Sequence, residues 1–185
     1  AQFRWIVTTD PHTYHVLKNE YRLGENGRGN TKVLHHTELL ESLLQMGKLP
    51  LQRTLGLTVT YHDPCYLGRS NGVFDPPRRL LKALGVKLVE MPRNRRNSFC
   101  CGAGGGRIWM EEVSGSRERP AEIRLREAAK LPGVSTLVVA CPKDLVMFQD
   151  AVKTAGLEGR IAVRDIVELV EAAMQPAEEG SHVAA

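Results

Sequence analysis

The chain of 185 residues carries four cysteines, and each lies in a motif suited to a turn or a helix start. Cys100 and Cys101 are adjacent and run into Gly102-Ala103-Gly104-Gly105-Gly106. Cys65 ends Asp63-Pro64-Cys65, and Cys141 opens Cys141-Pro142-Lys143-Asp144. Between Cys65 and Cys100 stand 34 residues, and 39 stand between Cys101 and Cys141. None of the four sits in an apolar core run, which is how thiolates gathered around a metal are placed. A cysteine at an N-cap with proline next puts its sulfur at the positive end of a helix, which favours the thiolate. Gly102, Gly104, Gly105 and Gly106 let the backbone approach a bulky inorganic core, and their N–H groups can bond its sulfides. Four thiolates suit an iron–sulfur cluster or zinc. Other readings compete: each cysteine as a small buried apolar residue, or the pair as a metal-free thiol site for disulfide exchange. The glycine run lacks the Gly-Lys-Ser/Thr ending of a phosphate loop. Asp144, in the first turn after Cys141, is either an oxygen ligand or an acid favoured by the helix dipole. Asp10-Pro11 reads as an ordinary N-cap and helix start.

The elements that must position these residues alternate. Short apolar runs at Phe3–Thr8, Thr31–His35, Leu57–Tyr61, Val86–Glu90, Ser135–Ala140 and Ile161–Val163 predict strands. Helical patterns at Pro11–Arg22, Thr37–Met46, Pro76–Leu84, Pro142–Ala155 and Asp165–Met174 follow nearly all of them, and a charged helix, Pro120–Leu131, precedes the fifth strand. Such alternation argues α/β with mainly parallel sheets flanked by helices. In such a sheet the strands' carboxyl ends share one edge, where ligands gather; Cys65 and Cys141 each follow a strand, and Cys100-Cys101 follow Val86–Glu90 by a longer loop.

The chain also resembles itself. Ile6-Val-Thr-Thr-Asp10-Pro11-His-Thr13 lies over Leu137-Val-Val-Ala-Cys141-Pro142-Lys-Asp144, and Val33-Leu34 with Glu38-Leu39-Leu40-Glu41 lies over Ala162-Val163 with Glu168-Leu169-Val170-Glu171. Two pseudo-repeated lobes follow: residues 1–50 as the back half of a first repeat, only half present, 51–175 as a complete second repeat carrying the cysteines, and 176–185 as a flexible tail. The chain opens on Ala1 with a strand-like run almost at once, which reads as a processed chain or a piece of a longer one.

Hydrophobic residues at 42% and charged residues at 25% are those of a globular domain, and a net charge of +4 is mild. The cysteines are too few for a disulfide-stapled secreted scaffold, and no run of about 20 apolar residues exists to span a membrane. No export signal is visible, which places the expected site of action in the cytoplasm. The basic residues are not interleaved with aromatics, which argues against a nucleic-acid partner. Arg69, Arg93, Arg95 and Arg96 lie close to cysteines in sequence. They would raise the potential of an anionic cluster or steer an acidic carrier, or simply form a solvated loop. His62 is either a partner of the site or a packed structural histidine, and His35 and His36 are weak candidates for a quinone or partner surface.

Tyr61-His62-Asp63-Pro64-Cys65-Tyr66-Leu67-Gly68-Arg69, then Phe99-Cys100-Cys101-Gly102-Ala103-Gly104-Gly105-Gly106, then Cys141-Pro142, resemble the cysteine-rich CCG domain of heterodisulfide reductase-like iron–sulfur oxidoreductases. The wording is closest to the membrane-linked electron-transfer-flavoprotein oxidoreductase group. The resemblance implies a [4Fe-4S] cluster, cubane or non-cubane, held by Cys65, Cys100, Cys101 and Cys141, with Gly102 and Gly104 beside it. It implies an electron-transfer module working between a flavoprotein or ferredoxin-type donor and a quinone or thiol/disulfide acceptor. Other redox subunits would be its partners, a membrane subunit among them, with the chain peripheral on the inner face of the membrane. Two departures stand out. Asp144 occupies the place of the family's fifth cysteine, and Asp10 and Thr13 occupy the places of a Cys-x-x-Cys in the first repeat. A zinc-binding scaffold using the same four cysteines is the alternative.

Overall fold

The computed structural model describes residues 3–21, 31–111 and 118–176. Along the described residues run β1 (Trp5–Thr8), α1 (Pro11–Asn19), β2 (Lys32–His35), α2 (His36–Gln45), β3 (Thr58–Tyr61), α3 (Asp75–Ala83), β4 (Lys87–Leu88), α4 (Pro120–Ala129), β5 (Thr136–Val139), α5 (Pro142–Thr154), β6 (Ala162–Asp165) and α6 (Ile166–Met174). β1 and β2 form one pair, and a second sheet has the order β4-β3-β5-β6. Every pairing is parallel, so the expected α/β class holds with no antiparallel strand among the described residues. The expected run Val86–Glu90 shrinks to the two residues of β4, an edge strand with Pro92 close behind. Its ladder still reaches Val89, whose N–H bonds Val59 O at 2.8 Å. β6 extends to Asp165, which caps α6 instead of opening it. The first helix ends at Asn19; Arg22 and the expected tail from 177 onward lie outside the described residues.

β5 explains the layering. Thr136-Leu137-Val138-Val139 is buried at every position, as a central parallel strand must be when helices cover both faces. Side chains alternate. Leu137 and Val139 pack with Leu125 and Ala128 of α4 and Phe148 and Ala151 of α5. Val138 and Ala140 pack with Leu80 and Leu81 of α3 and Ile166, Leu169 and Val170 of α6. The order β4-β3-β5-β6 reverses direction between β3 and β5. A crevice opens beyond the carboxyl ends of strands at such a switch point. The chain leaving β3 leads to Cys65, and the chain leaving β5 leads to Cys141.

The self-similarity has a structural counterpart. β1 and β2 end their register at Thr8↔His35, β5 and β6 at Val139↔Asp165. His35 and Asp165 are the N-caps of α2 and α6, and each has its backbone N–H bonded at 3.0 Å by a glutamate three residues on, Glu38 and Glu168. Asp10 and Cys141 are the N-caps of α1 and α5, each followed by proline. The surroundings differ. β5 has β3 on its far side, whereas β1 is paired only with β2 among the described residues and leaves Phe3, Trp5 and Val7 exposed.

His35 and His36 do not line a surface. Both are buried, with His35 Nε2 at 3.2 Å from Thr9 O and Nδ1 at 2.8 Å from Thr37 Oγ1. Burial pushes the imidazoles down to about 3 and about 4 respectively, with His36 further disfavouring a charge on His35. A depressed pKa means that the unfolded chain binds more protons between about pH 4 and 6.5, so stability falls as pH falls through that window. Replacing both histidines by glutamine should reduce the stability gained between pH 5 and pH 8 in urea unfolding by about 2–4 kcal/mol, while His62 and Asp144 keep their own, opposed contributions in that window; an unchanged difference would assign the acid sensitivity elsewhere.

Candidate metal centre

Cys65 sits just beyond β3 in a turn closed by Gly68 N–H to Pro64 O at 2.8 Å and Ser70 N–H to Cys65 O at 3.1 Å. A side chain at Gly68 would meet Phe74 Cε1 at 2.7 Å, so any larger residue there must push the Phe74 ring aside. Two neighbours of Cys65 tie this turn to the loop that delivers the cysteine pair. The buried Asp63 carboxylate accepts a fork from Arg78 at 2.7 and 2.9 Å and the Arg95 N–H at 2.7 Å. Its backbone carbonyl accepts the Ser98 hydroxyl at 2.9 Å. Arg69 donates to Ser98 O, and to Arg96 O at 3.3 Å. Arg69 is therefore a strut as well as a nearby cation. Arg93 is no free patch either, since it pairs with Glu127 at 2.8 Å and lies 3.9 Å over the Phe99 ring. Arg95 pairs with Asp75 at 2.9 Å.

Cys100 is exposed and Cys101 buried. Gly102, at φ +89°, turns the backbone back so that its N–H meets Cys100 Sγ at 3.2 Å, and Ala103 N–H approaches Cys101 Sγ at 3.5 Å. A hydrogen bond from the Cys101 thiol and one from Gly102 N–H hold Cys100 down to about 6, against the effect of burial. Cys101 correspondingly keeps its proton. Of the glycine N–H groups, that of Gly102 bonds a cysteine sulfur. Gly104 lines an open cavity of about 560 Å³ with Cys100, Gly102, Arg107, Glu118, Arg119 and Pro120.

Cys141 caps α5 and is 1% exposed. Here the expectation from the helix start needs correcting. The N–H groups of Lys143 and Asp144 do favour the thiolate, but burial and the Asp144 carboxylate outweigh them and push the thiol up. Asp144 is also buried, and its Oδ2 has no hydrogen-bond partner among the described residues. Burial first, and the Cys100 thiolate with it, push its carboxyl up to about 7, although a hydrogen bond with Cys101 opposes this. Asp144 is the group the cysteines share, acting on Cys65, Cys101 and Cys141 alike. A buried carboxylate with one unsatisfied oxygen, set among cysteines, is what a cation would complete.

Among the described residues, Asp10, His12 and Cys141 are the one trio with ligand atoms all within 4.8 Å of one another. Lys143 Nζ already occupies the cationic place there, 3.0 Å from Asp10 Oδ1 and 3.4 Å from His12 Nδ1. Burial opposes ionisation of Asp10, yet its bonds from Lys143, Thr13 and His12 N–H hold it down to about 2. It remains a helix cap with an ion pair.

Sequence reasoning missed Arg78, Ser98, Arg124 and Glu127. It left His62 open. The ring is buried against Phe148 at 4.8 Å, with Nε2 3.6 Å from Asp144 and Nδ1 3.3 Å from Arg124 Nε.

Residues 59–149 match the family model described as a cysteine-rich domain, CCG. The chain is 47% identical over 167 residues to the "Probable iron-sulfur-binding oxidoreductase FadF" of Bacillus subtilis, covering 89% of this chain and 23% of that protein. It is 41% identical over 175 residues to the EtfAB:quinone oxidoreductase of Syntrophomonas wolfei, covering 92% and 24%. It is 40% identical over 148 residues to one subunit of the dihydromethanophenazine:CoB--CoM heterodisulfide reductase of Methanosarcina acetivorans, covering 77% and 34%. The chain thus spans about a quarter to a third of the length of these relatives. Residues 59–149, with all four cysteines among them, are a cysteine-rich domain of the CCG family.

Proposed function

We propose that this chain is an iron–sulfur electron-transfer module of a larger oxidoreductase, with a [4Fe-4S] centre held by Cys65, Cys100, Cys101 and Cys141. The observation that carries the reading is that Cys65, Cys101 and Cys141, from three separate segments, gather about the buried Asp144 carboxylate with its unsatisfied oxygen, with Cys100 bonded to Cys101. The relatives' names support it: one is iron–sulfur-binding and one is a quinone oxidoreductase. The centre would supply one-electron storage; the protein's part is to hold, orient and insulate. Gly102 and Ala103 give N–H groups to sulfur, which steadies a reduced, more negative state. Cys101, Cys141 and Asp144 keep the inner side dry, while Cys100 faces the open cavity and is the side from which electrons enter or leave. Asp144 is proposed as an oxygen ligand or as the acceptor that orders Cys101.

Residues 51–175 form the complete repeat in this reading, and 1–50 the back half of a repeat without a centre, where the Asp10–Lys143 pair takes the place of thiolates. The partners are proposed to be subunits of the same redox complex, a flavoprotein or ferredoxin-type donor among them, with a quinone or a thiol/disulfide as acceptor. No helix among the described residues is long and apolar enough to cross a membrane, so a place at the inner face is proposed as peripheral. Anaerobic iron, sulfide and zinc analysis of the full-length protein tests the assignment, with variants at the four cysteines to locate the centre. Iron and sulfide lost in the variants support it; stoichiometric zinc in their place overturns it.

Asp144→Ala and Asp10→Ala separate the two helix starts. Asp144→Ala should change the electron paramagnetic resonance line shape or the lifetime of the centre in air. Asp10→Ala should cost about 1 kcal/mol as a lost cap and leave the spectrum alone. Identical spectra for both variants and wild type would reduce Asp144 to a helix-end residue.

A further inference from the structure

Behind the cysteines lies a buried charge that the four-cysteine site does not use. Arg124, on α4, is fully buried. Its Nε donates to His62 Nδ1 at 3.3 Å, and its Nη1 lies 3.0 Å from Glu127 Oε2. Glu127 is not its own: the same residue takes Arg93 Nη2 at 2.8 Å, Arg93 Nε at 3.0 Å and the Arg93 N–H at 3.1 Å. One carboxylate therefore faces two guanidiniums, of which only Arg124 is fully buried; the Asp63 charge also favours its cationic form, and its Nη1 and Nη2 have no hydrogen-bond partner among the described residues. Apart from Glu127, the contact of Arg124 with His62 leads through one imidazole toward Asp144 and the sulfur of Cys101.

The imidazole in between is fixed. A guanidinium only donates, so His62 Nδ1 accepts, and the ring proton sits on Nε2, 3.6 Å from Asp144 Oδ2. Phe148 holds the ring edge-on from the side. No rotation of His62 reverses this tautomer while Arg124 stays.

We propose that Arg124 is a positioning residue that fixes His62 with its Nε2–H facing Asp144 and supplies the counter-charge that sets the reduction potential of the centre. The inference rests on the iron–sulfur reading above. A cation behind an anionic centre stabilises its reduced, more negative state and raises the potential. Removing it lowers the potential, and removing the carboxylate that half-neutralises it raises the potential.

The opposite signs make the test. In the full-length, cluster-loaded protein, the signal of this centre is the one lost in Cys141→Ser. Its midpoint is read by redox titration followed by electron paramagnetic resonance in wild type, Arg124→Gln, Glu127→Gln and Arg124→Lys. Arg124→Gln should lower the reduction equilibrium constant about tenfold, or about 59 mV for a one-electron couple. Glu127→Gln should shift it upward, and Arg124→Lys should restore most of the wild-type value. A merely structural Arg124 would lose the signal or shift it alike in both variants. Shifts of the same sign, no shift in either variant, or loss of the centre in Arg124→Gln with an unmoved midpoint in Glu127→Gln each overturn the proposal. A wild-type protein without any signal that depends on Cys141 would instead overturn the reading beneath it.

Discussion

Cys141→Ser is expected to strip the metal from the protein, and Cys100→Ser to do the same with a different cost in stability. Losing a partner one bond removed from a metal typically weakens binding 10–100-fold, so a lost ligand should weaken it at least about 100-fold. Serine is a poor substitute for the thiolate, because its hard oxygen binds a sulfur-preferring centre far more weakly. The two positions differ in setting. Cys141 is packed at the start of α5, beneath β5 and beside Asp144, so serine there buries a hydroxyl that needs a new partner. That adds about 1–3 kcal/mol of destabilisation to the lost metal. Cys100 is exposed on the cavity, so its serine variant should lose metal with little further change in the apoprotein. Metal content and urea midpoints of the two variants read the contrast directly. Full metal content in either would remove that cysteine from the ligand set.

Arg78→Met should destabilise the fold by about 3–5 kcal/mol, the cost of breaking a buried ion pair from one side. Arg78 grips Asp63 in a fork, Glu90 at 2.6 and 3.0 Å, and Phe74 O at 2.8 Å. Burial works against its charge, but these carboxylates raise its pKa far beyond the ordinary guanidinium value. Without it, Asp63 stays buried with the Arg95 N–H at its side chain and no cation, and the loop 93–99 loses the anchor that aims Cys100 and Cys101. Arg78→Lys keeps the charge and loses the fork, so it should recover only part of the stability. The double variant Asp63→Asn with Arg78→Met should cost less than the sum of the single changes, because no unpaired carboxylate is left behind. A strictly additive double variant would show that the pair does not act as a unit.

The elements and the cysteines were legible because each has a local signature. β5 reads as a strand from an apolar run in which three of four residues are β-branched, and α5 and α1 start where a capping residue meets proline. The internal repeat pairs the two glutamates, Glu38 and Glu168, but the N-caps they bond, His35 and Asp165, emerge only from the structure. The polar frame was not legible, because its signals are tertiary. Arg124 stands in Pro120-Ala-Glu-Ile-Arg-Leu-Arg-Glu, which reads as a charged helix turned to solvent. The one clue was that Ala121, Leu125 and Ala128 mark the buried stripe, and Arg124 falls on that stripe at three and four residues' distance from Ala121 and Ala128. Arg93, Arg95 and Arg96 looked alike as a basic run. Only the fold assigns Glu127 and Phe99 to Arg93, and Asp75 to Arg95. Burial reversed one local argument outright: the helix start that should favour a thiolate at Cys141 is overcome by its surroundings. A free thiolate there is costly, so the sulfur gains most by bonding a cation.

X-ray absorption at the iron and zinc edges of the anaerobically purified protein, compared with its Cys141→Ser variant, tests the four-cysteine centre most directly. The account predicts iron with sulfur and neighbouring iron scatterers, and loss of that signature in the variant. Zinc with a single shell of sulfur at about 2.3 Å, or an iron signal that the variant leaves intact, would contradict it.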